Sequence, residues 1–295
     1  MNDDWPDYEL IDFGAGRRLE RFGELVLDRP CPAAVDERKQ LPDAWREAVA
    51  RYGGDRAADG AWKPKPTKWA NGHTCRVPLG ADRAMTLGVT PTPAGQVGLF
   101  PEQLSNWRWI AERTARLVAA DPDNPPRVLN LFAYTGGSTL AAAAAGAVVT
   151  HVDASKPSVA LARENAERSG LAEAPIRWIV EDAVRYCQRE VKRGARYDAV
   201  VLDPPSYGHG PKGEAWRLER NLPELLGLCA ELVERAPRFF LATCHTPGVG
   251  PAELSAYLSD AVVGHCGQPP ADGDIWLTTP AGRKLESGVY ARWPR

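Results

Sequence analysis

This sequence predicts an α/β protein: a doubly wound, mostly parallel sheet, an antiparallel hairpin at its C-terminal end, and a small β-rich domain in front. Three observations lead there. From residue 96 onward, apolar runs of strand length alternate with amphipathic stretches of helix length through short loops. Helix-start and helix-stop residues stand at the boundaries of those stretches. Before residue 96 the apolar runs are short and broken by Pro and Gly. The 295 residues, 44% hydrophobic and 25% charged, supply ample core for one large or two smaller domains.

Residues 1–95 are read as the β-rich domain, a candidate for substrate recognition. Leu25-Val26-Leu27 and Thr74-Cys75-Arg76-Val77 suggest small strands, and Asp43–Ala50 suggests a short helix. Arg29-Pro30-Cys31-Pro32, Gly53-Gly54 and Lys63-Pro64-Lys65-Pro66 punctuate them. The stretch Trp62–Trp69 interleaves three lysines with two Trp, which suits single-stranded nucleic acid. It suits equally a Pro-stiffened exposed loop anchored by its indoles.

Residues 96–295 are read as the main sheet. Pro101–Ala119 is a helix with Leu104, Trp107, Ile110, Ala111, Leu117 and Val118 near helical spacing, Pro101 in its first turn and Asp121-Pro122 past its end. Val128–Phe132 is a buried-type strand, followed by a turn and an alanine-rich helix stopped by Gly146. Val148–Asp153 is a strand; Ser155 caps a helix running to Arg168, with Gly170 beyond it. Strands at Ile176–Val180, Tyr197–Asp203 and Phe239–Cys244 alternate with helices at Ala183–Lys192, Leu222–Glu234 and Ala252–Val263. Ile275–Thr279 and Gly288–Trp293 form the closing hairpin.

Composition excludes several classes. Thirty-six Lys and Arg against 38 Asp and Glu give a formal charge of −2, so no basic face announces itself. No apolar run approaches membrane-spanning length, and the acidic start Met1-Asn2-Asp3-Asp4 has no apolar signal core, so the chain is read as cytoplasmic. The six cysteines form no C-x-x-C pair and read as free thiols. Cys244-His245 and His265-Cys266 hold four potential metal ligands, but no spacing brings them together and no metal is expected.

In a doubly wound sheet, ligands bind beyond the C-terminal strand ends. Successive strands finish there in Asn130–Ser138, in Asp153, in Glu181-Asp182 and in Asp203-Pro204-Pro205. A dinucleotide needs G-x-G-x-x-G to seat its pyrophosphate, and only the adjacent Gly136 and Gly137 are present. Asp153, 16 residues after Gly137, has the spacing at which an acid meets ribose hydroxyls, and Asp182 is placed to receive an adenine amino group. A phosphate-free nucleoside with a charged amino-acid tail fits: S-adenosyl-L-methionine. Taken singly, each acid is equally a helix cap, as Asp182 before Ala183-Val184 illustrates.

Asn130-Leu-Phe-Ala-Tyr-Thr-Gly-Gly-Ser138, Val152-Asp-Ala-Ser155, Ala162-Arg-Glu-Asn165 and Leu202-Asp-Pro-Pro-Ser-Tyr207 resemble class I S-adenosylmethionine-dependent methyltransferases. More narrowly they are similar to the branch containing the large-subunit ribosomal RNA cytosine-C5 enzymes, over residues 95–245. Gly98-Leu-Phe-Pro-Glu-Gln103 resembles the segment just upstream of the fold in that branch. The resemblance implies a Rossmann-like methyltransferase sheet and an RNA substrate, ribosomal RNA first. It also implies a cofactor pocket lined by Gln103, Asn130, Phe132, Tyr134, Thr135, Gly136, Asp153, Asp182 and Asp203. The RNA-binding domain that members often carry is not identifiable within residues 1–95.

The acceptor atom turns on two places. Asp203-Pro204-Pro205-Ser206-Tyr207 stiffens the backbone where a planar acceptor must be held, with Asp203 orienting its polar edge. It is equally a tight structural turn, and Tyr207 stands one place later than the aromatic of amino-methylating relatives. Cys244 ends its strand where RNA pyrimidine-C5 enzymes place a nucleophile; a thiolate adding at C6 makes C5 reactive, and His245 is placed to lower the thiol pKa. A buried structural cysteine is the competing reading. Methylation of a base nitrogen or of a non-RNA acceptor is the alternative, with a nicotinamide-dependent oxidoreductase or a non-catalytic RNA-binding module further off. Tyr207–Gly213 reads as a flexible loop that closes over a substrate base with His209 and Lys212 meeting phosphate, or equally as an ordinary mobile connection.

Overall fold

The computed structural model describes residues 5–53, 60–80, 82–209 and 215–295. Lys212 and Gly54, singled out above, lie outside them, as does the acidic start. The chain divides into two compact units: Met1–Pro78 with Ala84–Leu104 and Trp276–Ser287, and Leu79–Arg83 with Ser105–Ile275 and Gly288–Arg295.

The first unit carries β1 (Tyr8–Gly14), β2 (Arg17–Phe22), β3 (Leu25–Pro30), β4 (Ala50–Gly53) and β5 (Ala61–Lys63) in one sheet in that order. A separate ribbon pairs β6 (Thr74–Gly80) with β7 (Arg83–Gly88). Apolar side chains alternate inward, with Leu10, Leu19, Phe22 and Leu27 fully buried. Charges are buried too, but in partnership. Glu20 accepts from Arg29 Nη2 at 2.6 Å and from the Tyr8 hydroxyl at 3.0 Å, with Arg18 at 3.2 Å. Burial alone would raise the Glu20 carboxyl; Arg18 and Arg29 beside it hold it below its ordinary 4.5. The helix expected at Asp43–Ala50 is only a 3-10 turn, Ala44–Glu47. Asp43 makes no side-chain cap, and Ala50 is drawn into β4 opposite Leu27.

After a 3-10 turn at Pro101–Gln103, the second fold begins with α1 (Leu104–Ala120), then β8 (Arg127–Leu131), α2 (Gly137–Ala143), β9 (Val148–Asp153) and α3 (Lys156–Arg168). It continues through β10 (Ile176–Val180), α4 (Ala183–Lys192), β11 (Ala199–Leu202), β12 (Tyr207–His209), β13 (Ala215–Arg217) and α5 (Leu218–Leu232). It ends with β14 (Phe239–Cys244), α6 (Pro251–Leu258), β15 (Ala271–Thr278) and β16 (Lys284–Trp293). The seven-stranded sheet runs β10-β9-β8-β11-β14-β16-β15, parallel from β10 to β14 and antiparallel at β14–β16. The Rossmann-like class is therefore observed. β8, β11 and β14 are near-continuous apolar runs because helices cover both faces. The chain winds from β8 out to β10, then crosses back to β11, so the order reverses between β8 and β11. A crevice opens at such a switch point.

Several elements differ from expectation: the helix expected at Ala252–Val263 gives way to a π turn at Ser259–Val263, and the closing strands begin earlier, at Ala271 and Lys284. α5 starts at Leu218 rather than Leu222 and runs through Pro223; Asn221 in its first turns reaches back, its carboxamide oxygen accepting from the Arg217 N–H at 2.9 Å. Of the glycine-rich loop read at Tyr207–Gly213, Gly210–Gly213 lie outside the described residues, and Tyr207–His209 form an antiparallel pair with Ala215–Arg217, Tyr207 opposite Arg217 and Gly208 opposite Trp216. Trp216 fixes it: its ring is buried and its indole N–H donates to the Pro205 carbonyl at 2.6 Å. Among the described residues, no helix is long and apolar enough to cross a membrane.

Candidate active site

The turn from β8 into α2 is strained. Phe132 and Tyr134 take left-handed φ values of 54° and 48°, and Gly136 takes 93°. Such conformations cost of order 1–3 kcal/mol each in non-glycine residues and persist only when their surroundings dictate them. Here the anchors are specific. The Ala133 N–H donates to the Val152 carbonyl at 3.1 Å, and the Tyr134 N–H to Asp153 Oδ2 at 2.8 Å. Asn165 of α3 reaches across to donate its amide to the Thr135 carbonyl at 3.0 Å. Gly137 opens the helix with no room for a side chain: a Cβ there would stand 2.6 Å from the Trp107 ring.

Asp153 ends β9 with both oxygens turned to main chain, Oδ1 accepting from the Ser155 N–H at 2.8 Å. Burial raises its carboxyl above the ordinary 3.8, and the Ser155 and Tyr134 N–H groups offset part of that. Among the described residues no cation pairs with it. The Glu181 N–H donates to the Asp153 carbonyl at 3.1 Å, which sets Asp182 beside it on the same edge. Asp182 caps α4, its Oδ1 accepting from the Arg185 N–H at 3.0 Å.

Across the switch point, Asp203 follows β11. Its Oδ1 accepts from the Thr243 hydroxyl at 2.5 Å and lies 3.2 Å from His245 Nε2. Pro204 is buried and Pro205 exposed. Trp216 ties the two halves together, its ring 4.9 Å from that of Phe132 while its indole holds Pro205. His245 lies against Gly288, where a Cβ would come within 2.5 Å of Nδ1.

Thus Phe132, Tyr134, Thr135, Gly136, Asp153 and Asp182 gather along one edge, with Asp203 and Pro204 across the switch point on the same edge. Asn130 is turned inward: its amide donates to the Thr139 hydroxyl at 2.8 Å, which in turn lies 2.9 Å from His151 Nδ1. Cys244 ends β14 on the face opposite Thr243 and is 1% exposed in the core, its Sγ accepting from the Thr246 N–H at 3.4 Å. Gln103 belongs to the first unit, buried in its 3-10 turn. Sequence reading gave no role to Asn165, Thr243 or Trp216. An Asn in mid-helix and a Thr near the end of an apolar strand are the signals that could have found the first two. Among the described residues, no group of three or more His, Cys, Asp or Glu could hold a metal ion.

A family described as S-adenosylmethionine-dependent methyltransferase matches residues 86–257. The chain belongs to that family. The crystal structure of the SAM-dependent methyltransferase from Agrobacterium tumefaciens is 36% identical, with a TM-score of 0.83 over 97% of this chain and 90% of that one. SMU.776, solved in complex with SAH, shares the fold at 18% identity and a TM-score of 0.71, over 98% of this chain and 76% of that one. Ribosomal RNA large subunit methyltransferase I of Aeromonas hydrophila is 35% identical over 122 residues, 41% of this chain and 28% of that protein. Methyltransferase K/L of Shewanella frigidimarina is 31% identical over 121 residues, 40% of this chain and 17% of that protein. The methyltransferase thus spans under a third of those curated relatives.

The residues present fit S-adenosylmethionine. A half-buried carboxylate whose partners among the described residues are two main-chain N–H groups retains lone pairs for further donors, and the vicinal hydroxyls of a ribose supply two. The family's cofactor also carries no phosphate, which agrees with a turn lacking the pyrophosphate glycines.

Proposed function

We propose that this methyltransferase modifies a nucleobase of RNA, with large-subunit ribosomal RNA the first candidate and C5 of cytosine the acceptor. The observation carrying the reading is the Asp203 cluster beyond the switch point, one strand from the Asp153 turn. The names of the curated relatives support the choice of RNA. Asp153 binds the ribose, Asp182 receives the adenine amino group, and the Phe132–Gly136 turn closes over the nucleoside. Gln103 stands at the place of the family motif's cofactor glutamine. The bound cofactor supplies an electrophilic methyl group on a sulfonium.

The protein's own contribution begins with position. Pro204 and Pro205 hold the backbone after Asp203 fixed, and the Trp216 indole clamps the Pro205 carbonyl. Asp203, set by Thr243 and His245, accepts hydrogen bonds from the polar edge of the base. In the C5 reading the Cys244 thiolate bonds to C6 of the cytosine, and the electron pair so displaced makes C5 nucleophilic. Once C5 carries the methyl group, a base takes the C5 proton, the electron pair re-forms the C5–C6 bond and the thiolate leaves. That sequence requires residues 245–250, which follow Cys244 over the strand end, to uncover Sγ.

One observation favours a second reading. Cys244 is 1% exposed and faces the core, whereas Thr243 faces Asp203. A base nitrogen needs no thiol, only a planar seat and a proton acceptor, and Asp203 with His245 supplies both. Incubation with labelled S-adenosylmethionine and ribosomal RNA, followed by mapping of the methylated position, decides. The C5 reading expects 5-methylcytosine, a covalent adduct with 5-fluorocytosine RNA, and loss of both in Cys244→Ala. Full transfer by Cys244→Ala points to nitrogen. Absence of transfer to any RNA would overturn the RNA assignment.

A further inference from the structure

We propose that the loop Lys63–Trp69 of the first unit is a docking surface for the phosphate backbone of RNA. The inference rests on RNA being the acceptor. Residues 60–80 hold Lys63, Lys65, Lys68 and Arg76 and no Asp or Glu, in a chain whose total charge is −2. Elsewhere in the same unit several basic side chains are paired with carboxylates: Arg17 and Arg51 with Asp28, Arg18 and Arg29 with Glu20, Arg283 with Asp12. The three lysines are all exposed, and among the described residues none has a carboxylate partner.

Their loop is held rigidly. The Trp62 indole donates to the Thr92 carbonyl at 2.9 Å, and that of Trp69 to the Pro64 carbonyl at 3.0 Å. The two rings meet edge to face at 5.1 Å. The Lys68 N–H closes a 3-10 turn on the Lys65 carbonyl at 3.0 Å, and the Ala70 N–H closes on Pro66 at 2.8 Å. Lys65 is the N-cap and Lys68 the last residue of that turn, so two exposed lysines are carried three positions apart on one short turn. Like charges so placed repel one another. A polyanion relieves that repulsion, and a loop already ordered spends little conformational entropy on binding it. The two readings of this stretch are thereby reconciled: the indoles anchor the loop, and the lysines face outward. Half-buried Trp69 adds aromatic surface beside them, of the kind on which bases stack.

The test uses the full chain and its triple variant Lys63→Gln, Lys65→Gln, Lys68→Gln. Binding of labelled single-stranded oligocytidylate is measured by anisotropy against salt, with melting temperature and S-adenosylhomocysteine affinity as controls for folding. Three lost phosphate contacts are expected to lower the slope of log K against log salt by about 2, with affinity at low salt falling roughly tenfold or more. The corresponding triple Arg variant is expected to restore the slope. An unchanged slope while the parent still methylates RNA overturns the surface and leaves the proposed function standing. A parent chain that neither binds nor methylates RNA overturns both. Loss of affinity for polyglutamate with RNA binding intact overturns the inference in favour of a protein partner.

Discussion

Asp153→Asn tests the carboxylate proposed to bind the cofactor's ribose. Both of its oxygens are engaged, Oδ2 by the Tyr134 N–H and Oδ1 by the Ser155 N–H, each at 2.8 Å. In the asparagine, one of those places becomes an NH₂ that faces a donor, so one main-chain N–H loses its acceptor. That costs about 1–3 kcal/mol of native stability. Toward the cofactor, one charge-assisted bond from the ribose is lost, worth about 1.5–3 kcal/mol, or roughly 10- to 150-fold in affinity. Titration calorimetry with S-adenosylhomocysteine reads the affinity and thermal melting reads the stability, so the two losses are separable. Acidity provides an internal control. Burial holds the folded carboxyl above 3.8, so the native state takes up a proton more readily than the unfolded chain, and native stability falls as pH rises from 3.8 through the raised value. Cofactor binding runs the other way: it needs the carboxylate and weakens as pH falls through that same raised value. In Asp153→Asn this acid limb disappears. A folded Asp153→Asn that binds S-adenosylhomocysteine as tightly as the parent, with the parent's pH profile, would refute the assignment.

Three further outcomes follow from the same geometry. Gly288→Ala, at φ 115° with its Cβ 2.5 Å from His245 Nδ1, is expected to push His245 off Asp203 and slow single-turnover methyl transfer by ~10²-fold, while S-adenosylhomocysteine affinity is kept. His245→Ala should match it. Asn165→Ala leaves the buried Thr135 carbonyl without its amide donor, so melting should reveal a loss of about 1–3 kcal/mol and calorimetry a weaker cofactor complex. Burial, with the Arg163 charge adding to it, pushes His151 down to about 3, below its ordinary 6.5. Proton uptake therefore favours the unfolded chain, and stability is lost as pH falls from 6.5 towards about 3, by ~1.4 kcal/mol per pH unit. His151→Gln is expected to flatten that limb in melting curves taken across the range.

The sheet was legible because its strands and helices are continuous local signals. Val148–Asp153, Ile176–Val180, Ala183–Lys192 and Phe239–Cys244 are read to the residue, since β-branched runs and caps such as Ser155 and Asp182 fix both ends. The β-rich front was less legible. β1 and β2 interleave charges such as Asp12 and Glu20 that look solvated in sequence and are buried in pairs, Glu20 with Arg29 of the neighbouring strand and Asp12 with Arg283 far along the chain. No window of sequence contains that pairing. The hairpin β12–β13 hid for a related reason: what orders it is Trp216 against Phe132, a contact between residues over eighty positions apart. At the site, the acids at strand ends were readable as a series. The side-chain direction at the end of β14 was not, because Thr243 and Cys244 are equivalent until pairing fixes which of them faces Asp203.

The inward turn of Asn130 belongs to the same logic. A loop with two left-handed non-glycine residues must be forced, and the forcing comes from beneath and from both flanks. Asn130, Thr139 and His151 form a buried polar chain joining β8, α2 and β9 directly under the turn, so the two strands and the helix it spans are fixed relative to one another. Asn165 holds the outer carbonyl from α3, and Asp153 holds the Tyr134 N–H from β9. In the proposed function Asp153 therefore has two duties: it holds the Tyr134 N–H in the left-handed turn, and it presents the oxygens offered to the ribose. Asn165 has only the first duty. If pre-forming the turn is what matters for binding, Asn165→Ala and Asp153→Asn should weaken the cofactor complex by overlapping rather than additive amounts in a double-mutant cycle. Strict additivity would mean that the carboxylate acts on the ribose alone and that the strained turn is incidental to binding.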